Sequence, residues 1–92
     1  MFKVLEDLKV KEKAIGIKQS VKAVENGTAK LVYIAKDADE KVVSVLKELC
    51  RKNSLEIIYI ENMKLLGKTC GIDVGAAAVC ELKGGEKIHA DV

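Results

Sequence analysis

Three side chains that can grip an anion stand close together early in the chain: Lys18, Gln19 and Lys22, inside the stretch GIKQSVKAVENG that runs from Gly16 to Gly27. An ammonium group attracts a phosphate, and an amide N–H donates a hydrogen bond to an acceptor such as a base edge. Val21, Ala23 and Val24 supply an apolar side, and Asn26-Gly27 is a helix stop signal, so the stretch reads as a short helix beginning near residue 18. The first turn of such a helix has backbone N–H groups without partners and a partial positive charge, and both favour phosphate. The same twelve residues also fit an ordinary amphipathic helix whose lysines are merely solvated. The second candidate is the loop Gly71–Gly75, in which Ile72 and Val74 flank Asp73 between two glycines. Apolar residues in a glycine-hinged loop can cover an unstacked base, or they can pin the loop to the core.

Other chemistries fit less well. Gly67-Lys68-Thr69 resembles the end of a phosphate-binding P-loop, but that motif needs a glycine five residues earlier, and position 62 is asparagine. Cys50, Cys70 and Cys80 are odd in number and form no CxxC pair, so they read as buried free thiols and not as a disulfide framework or a metal site. The single histidine, His89, lies near the C-terminus with no obvious partner, and no pair of carboxylates falls on an apolar face. A catalytic set is not expected, and neither is a cofactor. Stacking of single-stranded bases on a sheet needs exposed aromatics, whereas Phe2, Tyr33 and Tyr59 are the only aromatic residues and both tyrosines fall in stretches expected to be buried strands.

The elements that must position these groups follow from the pattern. The 92 residues contain 49% apolar and 33% charged residues and no proline, which fits one small globular domain. The apolar runs are too short to cross a membrane, and the charged start MFKVLEDLKVKEK lacks a signal-peptide core, so a cytoplasmic protein is expected. Residues 1–36 hold eight lysines against four acids, a net of +4, and residues 37–92 hold eight basic against ten acidic groups, a net of −2. The basic excess therefore lies in the half that carries Lys18 and Lys22.

Helical spacing of Phe2, Leu5 and Leu8 predicts a first helix over 2–12, and residues 14–17 read as a brief strand. The run KLVYIAK over 30–36 is short and rich in branched residues, as in a strand buried on both faces. Asp37 and Glu40 predict a capping box at the start of a helix whose buried stripe is Val42, Val43, Val45, Leu46, Leu49 and Cys50 and which stops near Asn53. A strand over 56–60, a helix from Asn62 to Gly71 and a strand over 76–82 follow, then a turn over 83–86 and a tail over 87–92. The order α, β, α, β, α, β, α, β implies a three-layer α/β/α sandwich with a four-stranded mixed sheet, forming a single domain over 1–92.

Taken together, GIKQSVKAVENGTAKLVYIAKDAD (16–39) and IENMKLLGKTCGIDVGAAAV (60–79) resemble the kink-turn RNA-binding family of ribosomal proteins, named for the archaeal large-subunit protein L-seven-Ae. The likeness is greatest to the short stand-alone bacterial members, which share the Gly-x-Lys-Gln start and the Gly-Lys-x-Cys-Gly-Ile stretch. The resemblance implies a small RNA-binding protein, not an enzyme, acting as a monomer on a kink-turn in ribosomal RNA or a riboswitch, with the ribosome a candidate assembly. A kink-turn opens the deep, narrow groove of A-form RNA at tandem sheared G·A pairs, so a helix end can enter. The implied contacts are Gly16, Ile17, Lys18, Gln19, Lys22, Lys36, Asp37, Lys68, Ile72, Asp73 and Val74. Lys18 and Gln19 would donate to guanine O6 and N7, Lys22 would hold a phosphate, and residues 72–74 would pack on a flipped-out nucleotide. Archaeal and eukaryotic members usually have Asn-Glu where this chain has Lys18-Gln19, and many have lysine at Met63 and threonine at Val21. Some members of the family are protein-interaction modules, which gives the alternative expectation: a protein-binding or ribosome-associated structural domain on the same fold.

Overall fold

The computed structural model describes residues 12–72 and 74–83; all but Glu12 of the helix expected over 2–12, Asp73, the turn residues 84–86 and the tail with His89 lie outside the described residues, and Glu12 is not helical. The described elements are β1 (Lys13–Ile15), α1 (Ile17–Glu25), β2 (Ala29–Ala35), α2 (Glu40–Lys52), β3 (Ile57–Ile60), α3 (Met63–Thr69) and β4 (Ala78–Leu82). The four strands form one mixed sheet in the order β1-β4-β2-β3, in which β4 is antiparallel to both β1 and β2, and β3 is parallel to β2.

The apolar run of β2 is continuous because both of its faces are covered. Side chains alternate across a strand, so Val32 and Ile34 enter one core layer and Tyr33 and Ala35 the other. In the first layer, Ala23 and Val24 of α1 and Val43, Leu46 and Cys50 of α2 pack over Val32, Ile34, Ala78 and Cys80. In the second, Leu66 of α3 packs over Tyr33, Ala35, Ile60 and Val79. Helices thus lie on both faces of the mixed sheet, and the expected three layers are present. Glu81 is buried on the Tyr33 face at 4% exposure; the Tyr33 hydroxyl donates to its Oε1 at 3.2 Å and Lys30 Nζ lies 3.8 Å from its Oε2.

Local chemistry sets the element boundaries. Asn26 and Gly27 close α1, with the Asn26 N–H donating to the Lys22 carbonyl at 2.9 Å and Gly27 at φ 75°. The cap of α2 is Asp39, whose carboxylate accepts from the Lys41 N–H at 2.9 Å, and not Asp37. Asp37 has turned away to another helix, accepting from the Met63 N–H at 2.8 Å, and Glu40, freed of the box, pairs with Lys47 at 2.9 Å.

The expected stripe of α2 also narrows. Val43, Leu46 and Cys50 are buried and Leu49 partly so, but Val42 and Val45 are 45% and 58% exposed. At 3.6 residues per turn the three buried positions span an arc of roughly 60°, and the two valines lie outside it. Tyr59 departs as well, at 41% exposure. Its strand is the sheet's edge, and Lys47 Nζ stands 5.6 Å from the centre of its ring. Tyr33, on the central strand, is 1% exposed as expected.

Candidate nucleic-acid interface

Strand direction decides where the predicted groups meet. β1, β2 and β3 run the same way and β4 runs against them. The chain after Ile15, after Ala35 and after Ile60, and the chain before Ala78, therefore all emerge at one end of the sheet. This end gathers the start of α1, the Lys36-Asp37 step, the start of α3 and the loop that leads into β4. Hydrogen bonds tie the four together: Gly16 N–H to Ala78 O at 2.8 Å, Ala35 N–H to Ala77 O at 2.9 Å, Lys36 N–H to Ile60 O at 2.8 Å and Ala76 N–H to Met63 O at 3.1 Å.

At the start of α1, Gly16 has φ 104° and ψ 160°, a conformation open to glycine alone. It brings the chain off β1 and straight into the helix. No side chain caps this end and no acid lies in its first turn. The Ser20 N–H reaches Gly16 O at 3.0 Å, while the amides of Ile17, Lys18 and Gln19 have no acceptor within the helix. Lys18, Gln19 and Lys22 are exposed; Ile17 is partly buried and packs against the core under α1 and α2. The helix seats itself through Ser20, Ala23 and Val24, which leaves the lysines facing out.

The other predicted residues divide. Lys36 is exposed and its Nζ lies 3.7 Å from Glu61 Oε1, a solvent-screened pair of small energetic weight. Asp37 is exposed, but one of its oxygens is committed to α3. Lys68 is exposed, and Lys64, four residues before it on the same side of α3, is a further exposed cation whose i, i+4 spacing from Lys68 is legible in the sequence. In the loop, Ile72 is partly buried against the α3-side core and its N–H donates to Gly67 O at 3.1 Å, whereas Val74 is 70% exposed. Ile72 thus pins the loop to the core, as one of the two expectations had it, and Val74 projects from it. Asp73 lies outside the described residues.

The thiols form no competing site. Cys50 and Cys80 are fully buried, and burial pushes the Cys80 thiol up to about 12. Burial raises Cys70 too, opposed by the charge of Lys13. No group of three or more His, Cys, Asp and Glu residues that could hold a metal occurs among the described residues, and no helix there is long and apolar enough to cross a membrane.

The model of the ribosomal protein L7Ae/L30e/S12e/Gadd45 family matches residues 1–90. The chain belongs to this family. Among its relatives is an RNA-binding protein of Caldanaerobacter subterraneus, 49% identical over 73 residues that cover 79% of this chain and 89% of that one. An RNA-binding protein of Halalkalibacterium halodurans is 49% identical over 65 residues, covering 71% and 79%. Among solved structures, a Bacillus halodurans protein of unknown function superposes with a TM-score of 0.79 at 25% identity, over 94% of this chain and 92% of that one. A Giardia lamblia 15.5 kD RNA-binding protein superposes at 0.77 with 24% identity, over 96% and 76%, and shares the fold.

Proposed function

We propose that this member of the L7Ae/L30e/S12e/Gadd45 family is an RNA-binding protein that captures kink-turns, in ribosomal or regulatory RNA, with the sheet end that carries the start of α1. The observation that carries the proposal is the uncapped first turn of α1 with Lys18 and Gln19 exposed on it. Three backbone N–H groups, a helix dipole and two donor side chains converge there on the position an RNA edge or phosphate would take. The curated relatives named above are RNA-binding proteins, and that supports the same reading.

In this reading the lysines offset the repulsion between phosphates brought close at a bend, which positions the RNA, while Lys18 and Gln19 read guanine O6 and N7 at the G·A step. Lys22 holds a phosphate one turn along α1, and Lys36 and Lys68 extend the cationic rim. Gly16 and Ile17 bring the backbone close, and the 72–74 loop covers the displaced nucleotide with Val74 as its projecting apolar group. Asp37 serves through α3, which it helps to hold.

The test is a gel shift on a hairpin with a kink-turn, against the same hairpin with its G·A pairs replaced. Preference for the first by tenfold or more is the expected result; equal affinity removes kink-turn recognition and leaves at most non-specific RNA binding. Replacing Lys22 by alanine is expected to weaken all sequences alike and to lower the salt slope by about one unit. A chain that binds neither hairpin at low salt is instead a protein-interaction module, for which the exposed Val74 is the natural starting point.

A further inference from the structure

The loop before β4 is seated by backbone lying on backbone. Gly67, buried in the middle of α3, faces the loop so closely that a Cβ built on it would fall 2.1 Å from the Val74 carbonyl oxygen and 3.1 Å from Val74 C and Gly75 Cα. The fit is mutual: a Cβ on Gly75 would lie 3.1 Å from Met63 Cβ and 3.3 Å from the Met63 carbonyl. Two hydrogen bonds flank the contact, from Ile72 N–H to Gly67 O and from Ala76 N–H to Met63 O, each 3.1 Å. Val74 is therefore exposed as a side chain while its own carbonyl rests against a helix. From Ala76 the chain passes in two residues to Ala78, whose carbonyl accepts the N–H of Gly16 at the start of α1. The seat on Gly67 thus sets where the loop stands relative to Lys18 and Gln19.

We infer that Gly67 is a positioning residue of the RNA surface: the absence of a side chain on it holds Val74 at a fixed place beside the open end of α1. The inference rests on the RNA-binding reading. A methyl group at position 67 requires the Val74 carbonyl to retreat by roughly 1.3 Å or more to reach ordinary contact, and a site displaced by about 1 Å is already present but loose.

The test is a cycle of Gly67→Ala, Val74→Ala and the double variant, read as affinity for the kink-turn hairpin and as thermal melting. Gly67→Ala is expected to melt cooperatively and to bind about tenfold more weakly. In the Val74→Ala background the same change is expected to cost less than threefold, because the side chain it misplaces is already gone. Binding by Gly67→Ala within twofold of the parent overturns the inference, and so does an undiminished loss in the Val74→Ala background. If Gly67→Ala fails to fold, Gly75→Ala, which meets only the Met63 edge, replaces it in the same cycle with the same criteria. A parent chain that binds no RNA removes the proposed function and this role with it. Amide shifts at Val74 and Ala76 on Gly67→Ala then still report whether the loop's seat has moved, which separates that failure from a wrong account of Gly67.

Discussion

The starts of α1 and α3 stand at the same end of the sheet, and the chain treats them in opposite ways. At α3, Asn62 Oδ1 accepts the Leu65 N–H at 2.7 Å and Asp37, from the end of β2, accepts the Met63 N–H at 2.8 Å. Two of the helix's orphan amides are filled from within, and a carboxylate meets its positive end. At α1 the cap is a glycine, the first turn has no acid, and its charged side chain is Lys18, which the helix dipole opposes. A capping side chain typically contributes about 0.5–2 kcal/mol, and α1 forgoes it. A helix end filled by its own protein has little left to offer a ligand. One left open keeps its donors for a partner, at a cost in stability that its buried side, Ser20, Ala23 and Val24, has to offset.

This contrast breaks most sharply at Lys18. Lys18→Glu places an acid where the dipole favours one, so the folded state is expected to gain about 0.3–1 kcal/mol in thermal or denaturant unfolding. The same change deletes a donor and adds a charge of the RNA's own sign, and binding to the kink-turn hairpin is expected to fall by about 3 kcal/mol or more. Opposite signs in the two measurements identify an end kept open for an anion. A loss in both would mean that Lys18 supports the fold, and the comparison would fail.

Asn62→Ala makes the complementary test at α3. Removing an internal cap is expected to cost about 0.5–2 kcal/mol of stability, with RNA affinity changed less than twofold under conditions where the variant stays folded. An affinity loss larger than the stability loss would bring the start of α3 itself into the binding surface, beyond the rim that Lys68 is proposed to supply.

Much of this was legible in the sequence because the periodic signals are strong. The apolar run of β2 announced burial on both faces, and Asn26-Gly27, Asn53 and Asn62 marked helix ends where the structure has them. What could not be read were the matters decided across the fold. Asp37 looked like a local cap because a carboxylate near a helix start usually is one. Its partner lies 26 residues away, brought near only by the parallel pairing of β2 with β3. Tyr59 and the two outer valines of α2 carry apolar side chains, and their exposure depends on edge position and on which helix stops short of covering them, neither of which is a property of local spacing. The candidate site was legible as two stretches, and the strand directions supplied their nearness. Gly67 stood out in the sequence only as part of the Gly-Lys-Thr and Gly-Lys-x-Cys-Gly-Ile stretches; its part as a seat has no local pattern, because it depends on the loop that rests on it.

The smallest expected effect asks how far inward the open character of α1 extends. Ser20, in the turn that follows Gly16, is 0% exposed, and its hydroxyl has no hydrogen-bond partner among the described residues. A buried hydroxyl without a partner carries a desolvation cost of about 1–3 kcal/mol, and alanine is also the better helix former by a few tenths. Against this stands the small void left by one oxygen atom. Ser20→Ala is therefore expected to be neutral or to stabilise by up to about 1 kcal/mol, which for a domain of this size raises Tm by roughly 4–8 °C at most. RNA affinity is expected to stay unchanged, since the hydroxyl is buried whereas the side chains proposed to meet RNA, Lys18, Gln19 and Lys22, are exposed. Unchanged stability with a clear loss of affinity would give the hydroxyl a part in the open end itself, and the boundary between the face that folds and the face that binds would then run through Ser20.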